Sequence, residues 1–262
     1  MNLPYQGTGA PITGQALQKT QQTIGCDQAA LWALLTVETR GFGYLADRRP
    51  KILFERHIFH RLTEGRFDAY PDLSARQPGG YSGGAAEYGR LQRAMALDHE
   101  AALSSASWGL GQIMGYHADK LKYANTDAMI NAFVTSEDDQ LDGMCRFIMS
   151  TPRLRDAMTR KEWATIAFCY NGSDYARNEY DVKLRGAYEA FGGDGCPDVV
   201  VRAAQVYLSY LGFDPNGIDG QRGRNTLAAL HAFQRQEGLP PADVIDAATV
   251  ATLQAAFARR QH

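Results

Sequence analysis

Residues 34–43 read LLTVETRGFG, and the five residues before them, AALWA, carry no charge. Glu38 therefore closes an apolar run, and a glycine-rich break follows at once. A carboxylate so placed is either a surface charge at a fraying helix end or an acid held where water is scarce. The pattern predicts a helix over 27–40, capped by the Asp27 side chain and stopped by Gly41, a residue suited to the left-handed position past a helix end. On that helix Leu31, Leu34 and Leu35 define an inward face, and Glu38 falls on it at i+4 from Leu34 and i+7 from Leu31. Desolvation and the negative end of the helix dipole then both raise its pKa. An acid that keeps its proton near neutrality suits general-acid cleavage of a glycosidic bond. The competing reading is a buried ion pair of Glu38 with Arg40 or Arg56, since structural ion pairs also sit at helix ends.

The rest of the chain narrows the classes open to it. Its 262 residues are 45% hydrophobic and 21% charged, which allows one large globular domain or a large one with a small companion. A formal net charge of −2 offers no basic field, so nucleic acid is not expected as a partner. Cys26, Cys145, Cys169 and Cys196 lie far apart without a CxxC, and reduced, buried thiols are expected; Cys169 reads as core. His57 and His60 are spaced HxxH, but no HExxH accompanies them, so neither a metal nor any other cofactor is expected. The stretch MNLPYQGTGAPITG has neither the basic start nor the apolar core of a signal peptide, and no run is long enough to span a bilayer. Synthesis in the cytoplasm without membrane insertion is the expectation, with export by another route.

Residues 13–190 read mainly as helices joined by glycine-rich loops. Thr13 caps a first helix through about Ile24, and ILFE at 52–55 is a short strand or the first turn of HIFHRL. The stretch YPDLSARQPGGYSGGAAEYG is loop by composition; its glycines and Tyr81 suggest a mobile rim. Helical periodicity returns over 88–105 and over 136–149, where Ser136 caps a face of Leu141, Met144, Cys145 and Ile148. Thr159 and Glu162 have capping-box spacing before WATIAFCY, and a last helix covers about 175–190. FGGDGCPD then marks a boundary. Domains are expected at 1–190 and 198–262 with a linker at 191–197. In the smaller one Leu208, Leu211, Leu227, Leu230, Phe233 and Leu239 recur at helical spacing around the turn FDPNGIDGQRG, and IDGQRGRNTLAAL is echoed faintly by VIDAATVATLQAAF.

Three further groups of residues suit a sugar cleft, each with a plainer alternative. In SASWGLGQIMG, 105–115, Gln112 offers a donor and an acceptor among glycines and Trp108 an aromatic platform; the alternative is a tight loop on a helix. In AFCYNGSDY, 167–175, Tyr170 and Asn171 hydrogen-bond sugar hydroxyl and acetamido groups, or simply end a helix. Glu55 and His57 share one side if ILFERH is extended, or His57 starts a helix.

Glu38 before a glycine, then GLGQI, then AxxYNG resembles the lysozyme-like superfamily of goose-type lysozymes and lytic transglycosylases. With ILFERHIFHRLT, PGGY, EYGRLQRA and SWGLGQIMG in this order, residues 15–190 are similar to the phage endolysin N-acetylmuramidase family. VRAAQVYLSYLGFDPNGIDGQRGRNTLAALHAFQRQEGL resembles the three-helix peptidoglycan-binding module of cell-wall hydrolases, although its second Ile-Asp turn, at Ile245-Asp246, lacks the usual preceding glycine. The resemblance implies a mainly α protein: a lysozyme-like helical catalytic domain plus a small three-helix peptidoglycan-binding domain. Glu38 would be the acid, with Gln112, Tyr170 and Asn171 lining the glycan cleft.

The expected reaction is hydrolysis of the β-1,4 bond between N-acetylmuramic acid and N-acetylglucosamine by a phage-type endolysin. Glu55 or the substrate's own acetamide would assist. A lytic transglycosylase giving 1,6-anhydro products and a non-catalytic wall-binding protein are the alternatives. The expected partners are bacterial peptidoglycan and, for passage to the wall, a pore-forming lysis protein; the chain is expected to act as a monomer. Residues 1–192 alone are expected to cleave soluble glycan while losing wall affinity.

Overall fold

Side-chain caps start the first helices where the sequence places them. In the computed structural model, which describes residues 3–39 and 41–260 with Asp174 and Asp194 by backbone alone, Thr13 accepts from Ala16 N–H at the head of α1 (Gly14–Ile24). Asp27 accepts from Ala30 N–H, at 2.8 Å, at the head of α2 (Gln28–Thr39). Then come β1 (Ile52–Phe54), α3 (Arg56–Leu62), α4 (Glu87–Met95), α5 (His99–Ser104), β2 (Ala106–Trp108) and β3 (Ile113–Met114). The chain continues through α6 (Thr126–Thr135), α7 (Glu137–Met149), α8 (Pro152–Arg160), α9 (Trp163–Asn171) and α10 (Tyr180–Ala190). It closes with α11 (Val199–Tyr210), α12 (Arg224–Gln236) and α13 (Ala247–Arg259). The protein is mainly α, as expected, with three short strands among its helices. Two compact units divide it differently from the sequence boundary at 190: residues up to Ala10 with Gly43–Arg155, and Pro11–Phe42 with Asp156 onward.

In the first unit β1, β2 and β3 form an antiparallel sheet in that order, with Ile52 opposite Trp108 and Ser107 opposite Met114. ILF is thus strand, and the chain turns helical at Arg56. Fully buried Phe54, Phe59, Tyr88, Trp108 and Phe133 belong to the core; Tyr88 meets Trp108 edge-on at 6.4 Å. The helical stretch expected over 88–105 is two helices, because Asp98 leaves the helical conformation to cap α5 through Ala101 N–H. Ser136 caps α7 as expected, and Leu141, Met144, Cys145 and Ile148 are buried. Gly115 is required by packing: a Cβ there would lie 2.1 Å from the Leu103 carbonyl oxygen.

In the second unit α10 packs along α2 and α9. α2 has no outward face through its middle, since Ala30, Leu31, Trp32, Ala33, Leu34 and Leu35 are all buried. The expected capping box fails. Thr159 lies inside α8, where its hydroxyl donates to the Ile24 carbonyl, and Glu162 precedes α9 without a side-chain cap. α10 starts at Tyr180 rather than near 175, because a 3-10 turn over Ser173–Asn178 and left-handed Glu179 (φ 53°) come first.

α11, α12 and α13 enclose a core of Leu208, Leu211, Leu230, Phe233, Leu253 and Phe257, among others. Leu227 is half-buried, and Leu239 is exposed beyond the end of α12, so neither is the core residue that spacing suggested. Asp198 caps α11 and Asp246 caps α13. Two glutamines hold the two turns. Buried Gln205 donates to Asp219, the Gln221 carbonyl and Thr226 and accepts from Gly220 N–H, while Gln234 exchanges hydrogen bonds with the backbone of Ala242.

Candidate active site

Glu38 is the penultimate residue of α2 and half-buried. Asn171, the last residue of α9, donates Nδ2 to Glu38 Oε1 at 3.4 Å, a long bond. Loss of hydration raises the carboxyl from its ordinary value to about 7, against the opposing pull of the Asn171 hydrogen bond. Some side-chain surface remains open, so the acid is dry on most sides and still reachable. Arg56, one candidate ion-pair partner, turns its guanidinium to the carbonyls of Pro71, Gln77 and Pro78. The other, Arg40, lies outside the described residues, among which Glu38 has no ion pair.

Two phenols share this surrounding. Burial and the nearby Glu38 charge push Tyr170 well above its ordinary pKa, and Tyr180, at the head of α10, is raised for the same two reasons. Tyr180 escaped the sequence reading because no local pattern marks it; it comes beside Glu38 through the packing of α10 on α2. Gly172 (φ 76°) ends α9 directly after Asn171, which fixes where the amide emerges. Tyr170 and Asn171 thus end a helix, as the plain alternative held, and meet the Glu38 carboxyl or its field as well.

Another cluster lies in the first unit. Glu55, just before α3, caps nothing with its side chain; instead its carboxylate accepts from Tyr81 Oη at 3.1 and 3.0 Å. His57 Nδ1 lies 3.1 Å from Glu55 Oε2, an ion-pair distance without hydrogen-bond alignment. Desolvation, then the Glu55 charge, pushes the Tyr81 phenol up to about 12. Glu55 and His57 are neighbours because the chain turns into α3 between them, not because a strand alternates.

The loop before α4, expected as a mobile rim, is tied at both ends. Arg56 holds the carbonyls of 71, 77 and 78, while fully buried Glu87 accepts from Ser82 and Gly83 N–H and pairs with Arg90 at 2.8 Å. His60 bonds Asp68 at 2.7 Å, and among the described residues no group of three metal-ligating side chains converges.

Two site expectations change here. Trp108 is fully buried in β2, its indole N–H donating to the Leu103 carbonyl and its ring against Tyr5 and Tyr88. It has no face for a sugar, because the sheet centre is the core of its unit. Gln112, half-buried and left-handed (φ 47°), donates to the Lys51 and Gly109 carbonyls and accepts from Ser107, so its amide staples the loop. In the small domain a groove lined by Phe233, Leu239, Pro240, Val244, Thr249 and Thr252 opens between α12 and α13.

A half-buried acid of raised pKa at a helix end has the form that general-acid cleavage of a glycosidic bond requires. The chain belongs to the N-acetylmuramidase family, whose model matches residues 27–192; the peptidoglycan-binding domain family matches residues 198–253. Among solved structures it is similar to the crystal structure of the Burkholderia AP3 phage endolysin, at 40% identity and a TM-score of 0.63, over 71% of each chain. No curated protein matches it. It is a peptidoglycan hydrolase with peptidoglycan as its partner. Among the described residues no helix is long and apolar enough to cross a membrane.

Proposed function

We propose that this chain is a phage-type endolysin that hydrolyses the β-1,4 bond between N-acetylmuramic acid and N-acetylglucosamine, with Glu38 as general acid. The observation that carries the reading is the state of Glu38: at a pKa of about 7 roughly half the molecules hold the proton at neutral pH, and the residue is only half-buried. In this mechanism Glu38 protonates the glycosidic oxygen as the bond to C1 of N-acetylmuramic acid breaks. Water then adds to C1 and releases a proton, which restores the Glu38 acid directly or through solvent and leaves a reducing end. Tyr170, Asn171 and Tyr180 form the surroundings that keep the acid desolvated and orient it. In the other unit Glu55 and His57 are proposed glycan contacts.

In the same reading residues 1–190 form the catalytic part and 198–262 the wall-binding part. The chain works as a monomer, and a pore-forming lysis partner gives it passage from the cytoplasm to the wall. The test is digestion of purified peptidoglycan by the wild type and Glu38→Gln, with mass spectrometry of the products. Reducing N-acetylmuramic acid ends from the wild type and none from the mutant are expected. 1,6-anhydro ends would reassign the protein to the lytic transglycosylases, and an equally active mutant would remove Glu38 from the chemistry.

A further inference from the structure

Within the second unit the peptidoglycan-binding domain holds the end of the helix that carries Glu38. Arg202, on α11, is 1% exposed, although an arginine on the first helix of a tethering module has every reason to face water. Its guanidinium donates from Nε to the Gly41 carbonyl at 3.0 Å, and Nη2 donates to the same oxygen. It lies over the rings of Trp32, at 5.7 Å, and Phe42, at 5.6 Å. Gly41 (φ 74°) is the left-handed residue three positions after Glu38, and its own N–H returns to the Leu35 carbonyl inside α2. One residue thus ties the last turn of α2 through its N–H and the small domain through its carbonyl. Two further contacts run in parallel: the Phe42 ring packs against Tyr210 at 6.4 Å, and a Cβ on Gly41 would lie 3.8 Å from the Ile218 carbonyl oxygen in the domain's signature turn.

We infer that Arg202 is a positioning residue for Glu38, so that the wall-binding domain is a working part of the catalytic site and not only a tether. This rests on Glu38 being the general acid. The physical reason is leverage. The two bonds to one carbonyl fix where the chain leaves α2, the cation favours a helix C-terminus, and the Trp32 and Phe42 rings keep the planar guanidinium in place and dry. Among the described residues the buried Trp32 indole N–H has no hydrogen-bond partner, so packing and this cation are what hold the ring. Among the described residues Glu38 itself is oriented by one long hydrogen bond, from Asn171, and a shift of about 1 Å in such a group lowers turnover by roughly a hundredfold.

The test uses the full chain with a soluble glycan oligomer, which removes wall affinity from the measurement. Arg202→Met, Arg202→Lys and Glu38→Gln are compared with the wild type for kcat, KM, thermal melting and co-sedimentation with insoluble peptidoglycan. Arg202 lies outside the hydrophobic core shared by α11, α12 and α13, so wall binding should survive its loss. The expected result is a kcat at least about tenfold lower for Arg202→Met with KM within about twofold, and a partial recovery in Arg202→Lys, which keeps the charge but not the fork. If Arg202→Met does not fold, the same split in Arg202→Lys decides. A wild-type kcat in a folded Arg202 variant, with Glu38→Gln dead, overturns the positioning role alone. An active Glu38→Gln brings down the general-acid reading and the positioning role with it.

Discussion

Glu38 links stability to pH with a definite sign. Its folded pKa is raised to about 7, above the unfolded value, so the native state holds the extra proton in between. Stability from this group is therefore full at low pH and declines as pH rises from the unfolded value, about 4.3, through the folded one. Glu38→Gln removes the decline. Thermal melts should show wild type and mutant alike near pH 4 and the wild type less stable at pH 8, by up to about 3 kcal/mol and by less to the extent that the exposed surface screens the charge. A buried ion pair predicts the reverse, a mutant destabilised at pH 8. Asn171 gives a finer check. Its hydrogen bond opposes the rise in the Glu38 pKa, so Asn171→Ala should carry the alkaline limb of kcat/KM upward. At 3.4 Å the bond is weak, and the shift should be a fraction of a pH unit.

At the scale of elements, the loop before α4 shows how composition misleads. Gly79, Gly80, Gly83 and Gly84 deny the segment between α3 and α4 much regular structure, and only a 3-10 turn over Gly84–Ala86 forms near its end. Irregular backbone is nonetheless fixed backbone here, because charged side chains accept or donate to its peptide groups. Glu87 is the decisive latch: one carboxylate oxygen takes Ser82 and Gly83 N–H, the other Phe54 N–H and Arg90. Glu87→Ala would leave Arg90 buried without its counter-charge and should cost about 3–5 kcal/mol, read as a lower urea midpoint at unchanged slope. Hydrogen exchange should also quicken at Ser82 and Gly83, whose donors lose their acceptor.

For the whole molecule, the division of labour between the two family domains is not a division of the fold. Residues 11–42 belong to the same compact unit as the wall-binding helices, and Trp32 and Phe42 are buried partly under Arg202. These contacts argue against the expectation that residues 1–192 suffice for cleavage of soluble glycan. That fragment would expose both rings and free the Gly41 carbonyl. It should melt at lower temperature than the full chain and lose most activity on soluble oligomers as well as on intact wall. A fragment with full activity on soluble glycan would restore the picture of a detachable tether.

The features legible in the sequence are local or carried by ordered motifs. The caps at Thr13, Asp27 and Ser136 are legible because the oxygen and the N–H it satisfies are three residues apart, and Gly41 because a left-handed turn excludes most other residues. The endolysin-like order of motifs carried the family, and the apolar run before Glu38 carried the raised pKa of the acid. The tertiary structure decided what depends on neighbours distant in the chain. Trp108 is core rather than platform, and Tyr180 joins Glu38. The amide of Gln112 belongs to its own loop, and Arg202 reaches back 161 positions to one carbonyl. The reason is physical: a cap or a turn is satisfied within a few residues, whereas burial and electrostatic field are sums over whatever folding brings near, and no window of sequence contains that sum.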